Sequence, residues 1–233
     1  MIQQEITDTV AYVATQVAET VVEPTVVQEL SVWDLTMRGG WIMIPLAILS
    51  IISIYIFVER FIVINRARRD DETFMKKIKD YIHEGEIESA RHLCAKTDTP
   101  YARLISKGIS RIGRPMQDVL VTIENTGNIE ISKLEKGLGW LATTAAGGPM
   151  IGFLGTVIGM VNAFYNLASA GTSANIAVLA DGIYGALVTT VAGLIVGIIA
   201  LFAYNYLVAR VNKVMNMLES KTMEFMDLLN EPA

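Results

Sequence analysis

Residues 137–209 contain a single charged side chain, Asp181, and this deficit constrains the chain more than any other feature. Residues 137–180 and 182–209 carry no Lys, Arg, His, Asp or Glu at all. A bilayer span needs about 20 apolar residues to cross roughly 30 Å of hydrocarbon, so the block is long enough for two spans, 137–169 and 176–209, joined by a short polar hairpin at 170–175. A third apolar run, interrupted only by Glu59 and Arg60, occupies 41–64. With 52% hydrophobic residues and a mean hydropathy of +0.41, the whole chain is too apolar for an ordinary soluble domain. Backbone groups in lipid must be satisfied within the segment, and runs of this length point to helices. The expected fold is an all-α membrane protein with three transmembrane helices and a helical cytoplasmic domain.

The flanking charges predict an orientation. Arg60, Arg66, Arg68 and Arg69 follow the first span, Lys133 and Lys136 precede the second, and Arg210 and Lys213 follow the third. Basic residues gather on the cytoplasmic side, so the N-terminus and the hairpin are expected outside and the C-terminus inside. Residues 1–29 are read as an acidic periplasmic arm without a basic n-region or a compact apolar run, hence with no cleavable signal. Glu5, Asp8, Glu19, Glu23, Glu29 and Asp34 stand against Arg38 alone in residues 1–40, which accounts for the net charge of −5. Residues 30–40 are either a short interfacial helix with Trp33 and Trp41 at headgroup depth or the fraying start of the first span.

Residues 65–136 are charged in both signs and carry helical patterning in Phe74, Ile78, Tyr81 and Ile82 and again in Ile87, Ala90, Leu93 and Cys94. Gly85, Pro100, Gly108 and Pro115 are expected to divide them into four helices. The last, from about Met116 to Lys136, is expected to run on into the second span as one rod. Residues 210–233 are read as an amphipathic cytoplasmic extension of the third span. In the first span Glu59 and Arg60 are read as an anchor, with Arg60 snorkelling to the headgroups. The charges alternate rather than cluster, so nucleic-acid binding is not expected. Cys94 is the only cysteine and is read as a small core residue; His83 and His92 do not share a helical face. No metal site, no cofactor and no nucleophile–base constellation is legible, so the chain is not read as an enzyme.

The charge-free block is not featureless. Segment GGPMIGFLGTVIG at 147–159 places Gly148, Gly152, Gly155 and Gly159 on one helical face. Segment GIYGALVTTVAGLIVG at 182–197 does the same with Gly182, Gly185, Gly193 and Gly197. Such stripes let helix backbones approach closely in lipid. Taking Ser173 as the hairpin midpoint, Thr156 and Thr190 each lie 17 residues away and so at one depth, with Thr189 beside the second. Their hydroxyls either form a polar belt or bond carbonyls of their own helices, as Thr in membranes commonly does. Pro149 removes a hydrogen bond to Ala145 and is expected to bend the second span. Asp181 is either a wetted rim carboxylate or a proton-entry group.

These segments, PMIGFLGTVIGMVNAF at 149–164 and GIYGALVTTVAG at 182–193 with LSVW at 30–33, resemble the ExbB/TolQ/MotA proton-channel family, most closely its ExbB members. The resemblance implies a homopentamer in the bacterial inner membrane, a multi-pass subunit whose second and third spans surround the single-span helices of an ExbD-like partner. It further implies that proton flow drives a TonB-like protein in outer-membrane nutrient uptake. The family's pore threonines fall on Thr156 and Thr190, and its later asparagine on Asn162. Many members carry a glutamate five residues before the second threonine; here that position is Gly185. Asp181, one turn away, is the candidate substitute. The alternatives are a TolQ-like subunit serving envelope integrity or another envelope motor, and, in a different class, a passive membrane scaffold.

Overall fold

The computed structural model describes residues 39–68, 72–170 and 176–230. The acidic arm 1–29, all but the last two residues of the interfacial segment 30–40, Arg69 and the hairpin residues 171–175 lie outside the described residues. A 3₁₀ turn, Gly40–Ile42, leads into α1 (Met43–Ala67). Four shorter helices follow: α2 (Glu72–His83), α3 (Ile87–Thr97), α4 (Pro100–Ile109) and α5 (Met116–Glu135). Two long helices, α6 (Leu138–Ala170) and α7 (Ile176–Asn230), complete the described chain.

Residues Gly40–Ala67, α6 and α7 are long and apolar enough to cross a membrane, which makes this a multi-pass membrane protein. Ile51, Phe153 and Phe202 are each more than 60% exposed, an arrangement that water would penalise and lipid does not. Pro45 lies in the first turn of α1, where a missing N–H costs nothing. Helix α7, at 55 residues, is about 80 Å long, whereas a bilayer needs only some 20 residues of it. The remainder is the amphipathic extension expected from residues 210–233, and it buries Val211, Val214, Leu218, Phe225 and Leu228 against α2–α5.

Gly85 and Pro115 do lie at helix breaks, and Pro100 opens α4 at its first turn. Gly108 also falls at a break, one residue before α4 ends at Ile109. A Cβ there would come within 2.5 Å of the Phe225 ring and 2.8 Å of Ile123 Cδ1, so the same glycine also permits close approach to α7.

Two expectations are corrected. Helix α5 does not continue into α6 as one rod: it ends at Glu135, Lys136 turns to ψ 124°, and Gly137 takes φ 88° before α6 begins. A left-handed residue after the last turn is the usual glycine stop. Nor does Arg60 snorkel to the headgroups. Its side chain is only 12% exposed, with Nη1 donating to the Lys133 carbonyl at 3.1 Å and Nη2 to Glu59 Oε1 at 2.6 Å. The guanidinium therefore ties the end of α1 to α5 instead of anchoring it in lipid.

The same corner holds a charged network. Arg103 donates through Nε (3.1 Å) and Nη2 (2.6 Å) to Glu130 Oε2, and Lys133 Nζ donates to Oε1 at 2.7 Å. Arg103 Nη1 also donates to Asp98 Oδ1 at 2.6 Å. Asp98 ends α3 in the left-handed region at φ 32°, so the interaction pins a conformation that most residues avoid. Burial of Glu130 works against its charge, but the Arg103 and Lys133 hydrogen bonds outweigh it and hold its carboxyl below the ordinary carboxylate pKa. We expect Glu130→Gln to destabilise the detergent-solubilised protein by about 2 kcal/mol, measured by thermal unfolding. Because the folded pKa is depressed, the carboxylate's contribution is complete above its unfolded pKa and fades as pH falls through the folded value. Wild type should therefore lose stability between about pH 5 and pH 3 more steeply than Glu130→Gln.

Candidate functional site

Helices α6 and α7 pack backbone to backbone. A Cβ on Gly193 would lie 2.5 Å from the Gly148 carbonyl oxygen and 2.8 Å from Gly152 Cα. One on Gly197 would meet the Pro149 ring at 2.5 Å, and one on Gly152 would meet the Thr189 carbonyl oxygen at 2.8 Å. Further along, Gly159 faces Ala186 and Gly182 faces Ala163. As one number rises its partner falls in step, so the helices are antiparallel. No side chain can be inserted along this seam without separating them. Helix α6 runs unbroken through Pro149, whose ring fills the space that Gly197 leaves.

That close approach brings three hydroxyls together. Thr156 Oγ1 and Thr190 Oγ1 are hydrogen-bonded to each other across the seam. The Gly152 carbonyl lies 3.3 Å from Thr156 Oγ1, 3.2 Å from Thr189 Oγ1 and 3.1 Å from Thr190 Oγ1. The Ala186 carbonyl accepts from Thr189 at 2.7 Å and lies 3.3 Å from Thr156 Oγ1. Each hydroxyl has one proton to donate, so these contacts cannot all be donations at once. The cluster therefore admits more than one hydrogen-bond pattern.

Both readings left open by the sequence are present. Thr156 and Thr189 do reach carbonyls of their own helices, Gly152 and Ala186, yet Thr190 reaches across to Gly152 and to Thr156. Thr143 and Thr144 behave differently, bonding Gly139 and Trp140 of their own helix. Thr156 is 9% exposed and Thr189 3%, whereas Thr190 is half-buried, so one edge of the cluster remains accessible.

Asn162 and Asp181 are not part of this cluster. They line a separate cavity of about 280 Å³ at the hairpin end, with Asn166, Gly185, Thr189 and the 3₁₀ turn. The glycines Gly148, Gly152, Gly155, Gly159, Gly182, Gly193 and Gly197 all sit where an added Cβ would meet the opposing helix or its neighbours. Sequence reasoning missed the Gly152 and Ala186 carbonyls as shared acceptors, because a backbone oxygen leaves no compositional trace. It also missed Asn166, although its spacing of four from Asn162 placed both on one face.

Comparison with known proteins adds an independent line. The sequence profile of the MotA/TolQ/ExbB proton channel family matches residues 96–220. A biopolymer transport protein ExbB homolog from Methanothermobacter thermautotrophicus is 30% identical over 177 residues, which are 74% of this chain and 62% of that protein. The chain thus spans less than two thirds of that relative's length. The biopolymer transport protein ExbB-like 1 of Synechocystis is 30% identical over 184 residues, 76% of this chain and 70% of the relative. The Tol-Pal system protein TolQ of Pseudomonas aeruginosa is 28% identical over 203 residues, 81% and 87% of the two chains.

The seam sets up a contrast between Gly193, which meets the α6 backbone, and Gly147 of α6, which faces open space. Gly193→Val should force the backbones apart and lower the melting temperature of the purified protein, with loss of the folded hairpin by protease protection. Gly147→Ala, where an added Cβ meets nothing within 4 Å, should be neutral or stabilise by up to about 1 kcal/mol through helix propensity.

Proposed function

Because this chain belongs to the MotA/TolQ/ExbB proton channel family, we propose that it is the stator subunit of an ExbB–ExbD-type motor in a bacterial inner membrane, using the proton motive force to energise a TonB-like protein for outer-membrane nutrient uptake. The observation that carries this reading is the hydroxyl cluster of Thr156, Thr189 and Thr190 on the Gly152 carbonyl. In this reading the N-terminus is periplasmic, the C-terminus cytoplasmic, and five copies surround the single-span helices of an ExbD-like partner. The protein is a channel component and not an enzyme.

The chemistry follows from what the wall lacks. Hydroxyls titrate far from neutrality, and Gly185 offers no side chain, so the titrating group comes from the partner: a carboxyl on its membrane helix. Thr156 and Thr190 suit both states of such a group, since a hydroxyl donates to a carboxylate and accepts from a carboxylic acid. Half-burial of Thr190 leaves the side from which a partner helix would reach the pair. Each protonation removes the carboxylate's preference for the polar belt and each deprotonation restores it, which shifts or rotates the partner. About 2.3 kcal/mol is available per charge per 100 mV, so a few protons supply useful work.

The similarity to TolQ, which spans more of both chains than the ExbB matches above, favours a second reading within the family: a subunit serving envelope integrity. The partner that copurifies from the native membrane, with the mass of the complex, separates the two and tests the pentamer. For the mechanism itself, Thr156→Val and Thr190→Val keep the shape and remove the hydroxyls. We expect the complex to assemble with its partner while energised uptake falls roughly ten- to hundredfold, the range for losing a hydrogen bond to a charged group. Full uptake in the double variant would make the threonines packing residues and the chain a passive scaffold.

A further inference from the structure

We propose that the cavity formed by Asp181, Asn162, Asn166 and Thr189 is a water-filled entrance within each subunit, which gathers a hydrated monovalent cation at the hairpin end and delivers it to the hydroxyl cluster. This rests on the channel reading above and gives that channel an intake separate from any central space between subunits.

The cavity encloses about 280 Å³, room for on the order of ten waters. Its wall presents a carboxylate, two carboxamides and a hydroxyl, contributed by α6 and α7. Polar side chains at membrane depth face protein or water, because lipid offers them no partner. Gly159, Gly182 and Gly185 line it as well, at the level where Gly159 packs on Ala186 and Gly182 on Ala163. Trp41 and Ile42 of the 3₁₀ turn complete it from the side of α1. Gly185 thus acquires a positive reading: it lines this polar cavity without a side chain to fill it.

The floor of the cavity connects with the hydroxyl cluster. Thr189, 3% exposed, lines the cavity and also reaches the Gly152 carbonyl, the oxygen that Thr156 and Thr190 share. From Asp181 to Thr189 is two helical turns, about 12 Å along α7. Asp181 is exposed at the outer end of this path. Its function is to concentrate cations at the mouth, since a cleft lined by one sign of charge raises the local concentration of counter-ions. The last transfer, from cavity water to the partner's carboxyl, is left to the hydroxyls.

Thiol labelling tests this without relying on transport. Cysteine is placed at Asn162 or, separately, at Asn166, in the full chain with its partner subunits, and right-side-out spheroplasts are treated with trimethylammonium-ethyl or sulfonato-ethyl methanethiosulfonate. The unsubstituted chain is the blank, because its one cysteine, Cys94, is buried in the helical domain with its thiol pushed up to about 11. Two positions guard against a variant that fails to assemble. We expect both cysteines to react from outside, the cationic reagent to be favoured over its free-thiol preference, and Asp181→Asn to reduce that preference about tenfold, the low end for a charged cleft. Slowing of the reaction by sodium at constant ionic strength would identify sodium as the gathered ion, and insensitivity to sodium would identify the hydrated proton; either supports the entrance. Unreactive cysteines at both positions, or a charge preference that survives Asp181→Asn, would overturn it. Energised uptake read in the same cells keeps the two readings apart: uptake with unlabelled cysteines sinks the entrance alone, and selective labelling of an assembly without proton-driven activity sinks the channel reading alone.

Discussion

The backbone contact between α6 and α7 is the interaction on which the rest depends. Lipid tails are as apolar as leucine, so burying apolar side chains does not hold two spans together; close packing does. Gly148, Gly152, Gly193 and Gly197 remove every side chain from the line of contact, bringing carbonyl oxygens within reach of the opposing backbone. One consequence is structural, a tight antiparallel hairpin. The other is chemical. At ordinary helix separation the hydroxyl of Thr190 could not approach the Gly152 carbonyl of the neighbouring helix, and the threonines would each be satisfied locally, as Thr143 and Thr144 are.

The hairpin is held in place from its other end. Helix α7 carries the seam in its first half and the core of the helical domain in its second, without a break between them. One continuous helix therefore joins the domain to the hydroxyl level. Arg60 and the Glu130 network add a second connection, through α1 and α5, so the membrane helices are braced against the domain at two separate places.

Much of this was legible in the chain. Three spans followed from the long apolar runs, and the matched depth of Thr156 and Thr190 from simple counting about the hairpin. The four helices of the helical domain followed from periodicity and from Gly85, Pro100, Gly108 and Pro115. The errors share one cause. Gly137 was not taken for a break although it takes φ 88°, whereas Gly148, in the same glycine-rich block, permits close approach to α7. A glycine that permits close approach and one that permits a left-handed turn are the same letter, and only the position of the neighbouring helix separates them. Arg60 was assigned to the headgroups because its partner, the Lys133 carbonyl, lies 73 residues away on a different helix.

By itself the sequence determined the class of environment, the number of spans, the small-residue faces and the absence of a carboxyl at Gly185, because each is a property of local composition or spacing. The tertiary structure alone decided that the hydroxyls share one carbonyl across the seam, and that Asp181 and Asn162 line a cavity that Thr156 does not. Those facts depend on how α6 and α7 are rotated and spaced against each other. That rotation is set by which glycines meet, a relation between two helices that neither helix's own periodicity contains.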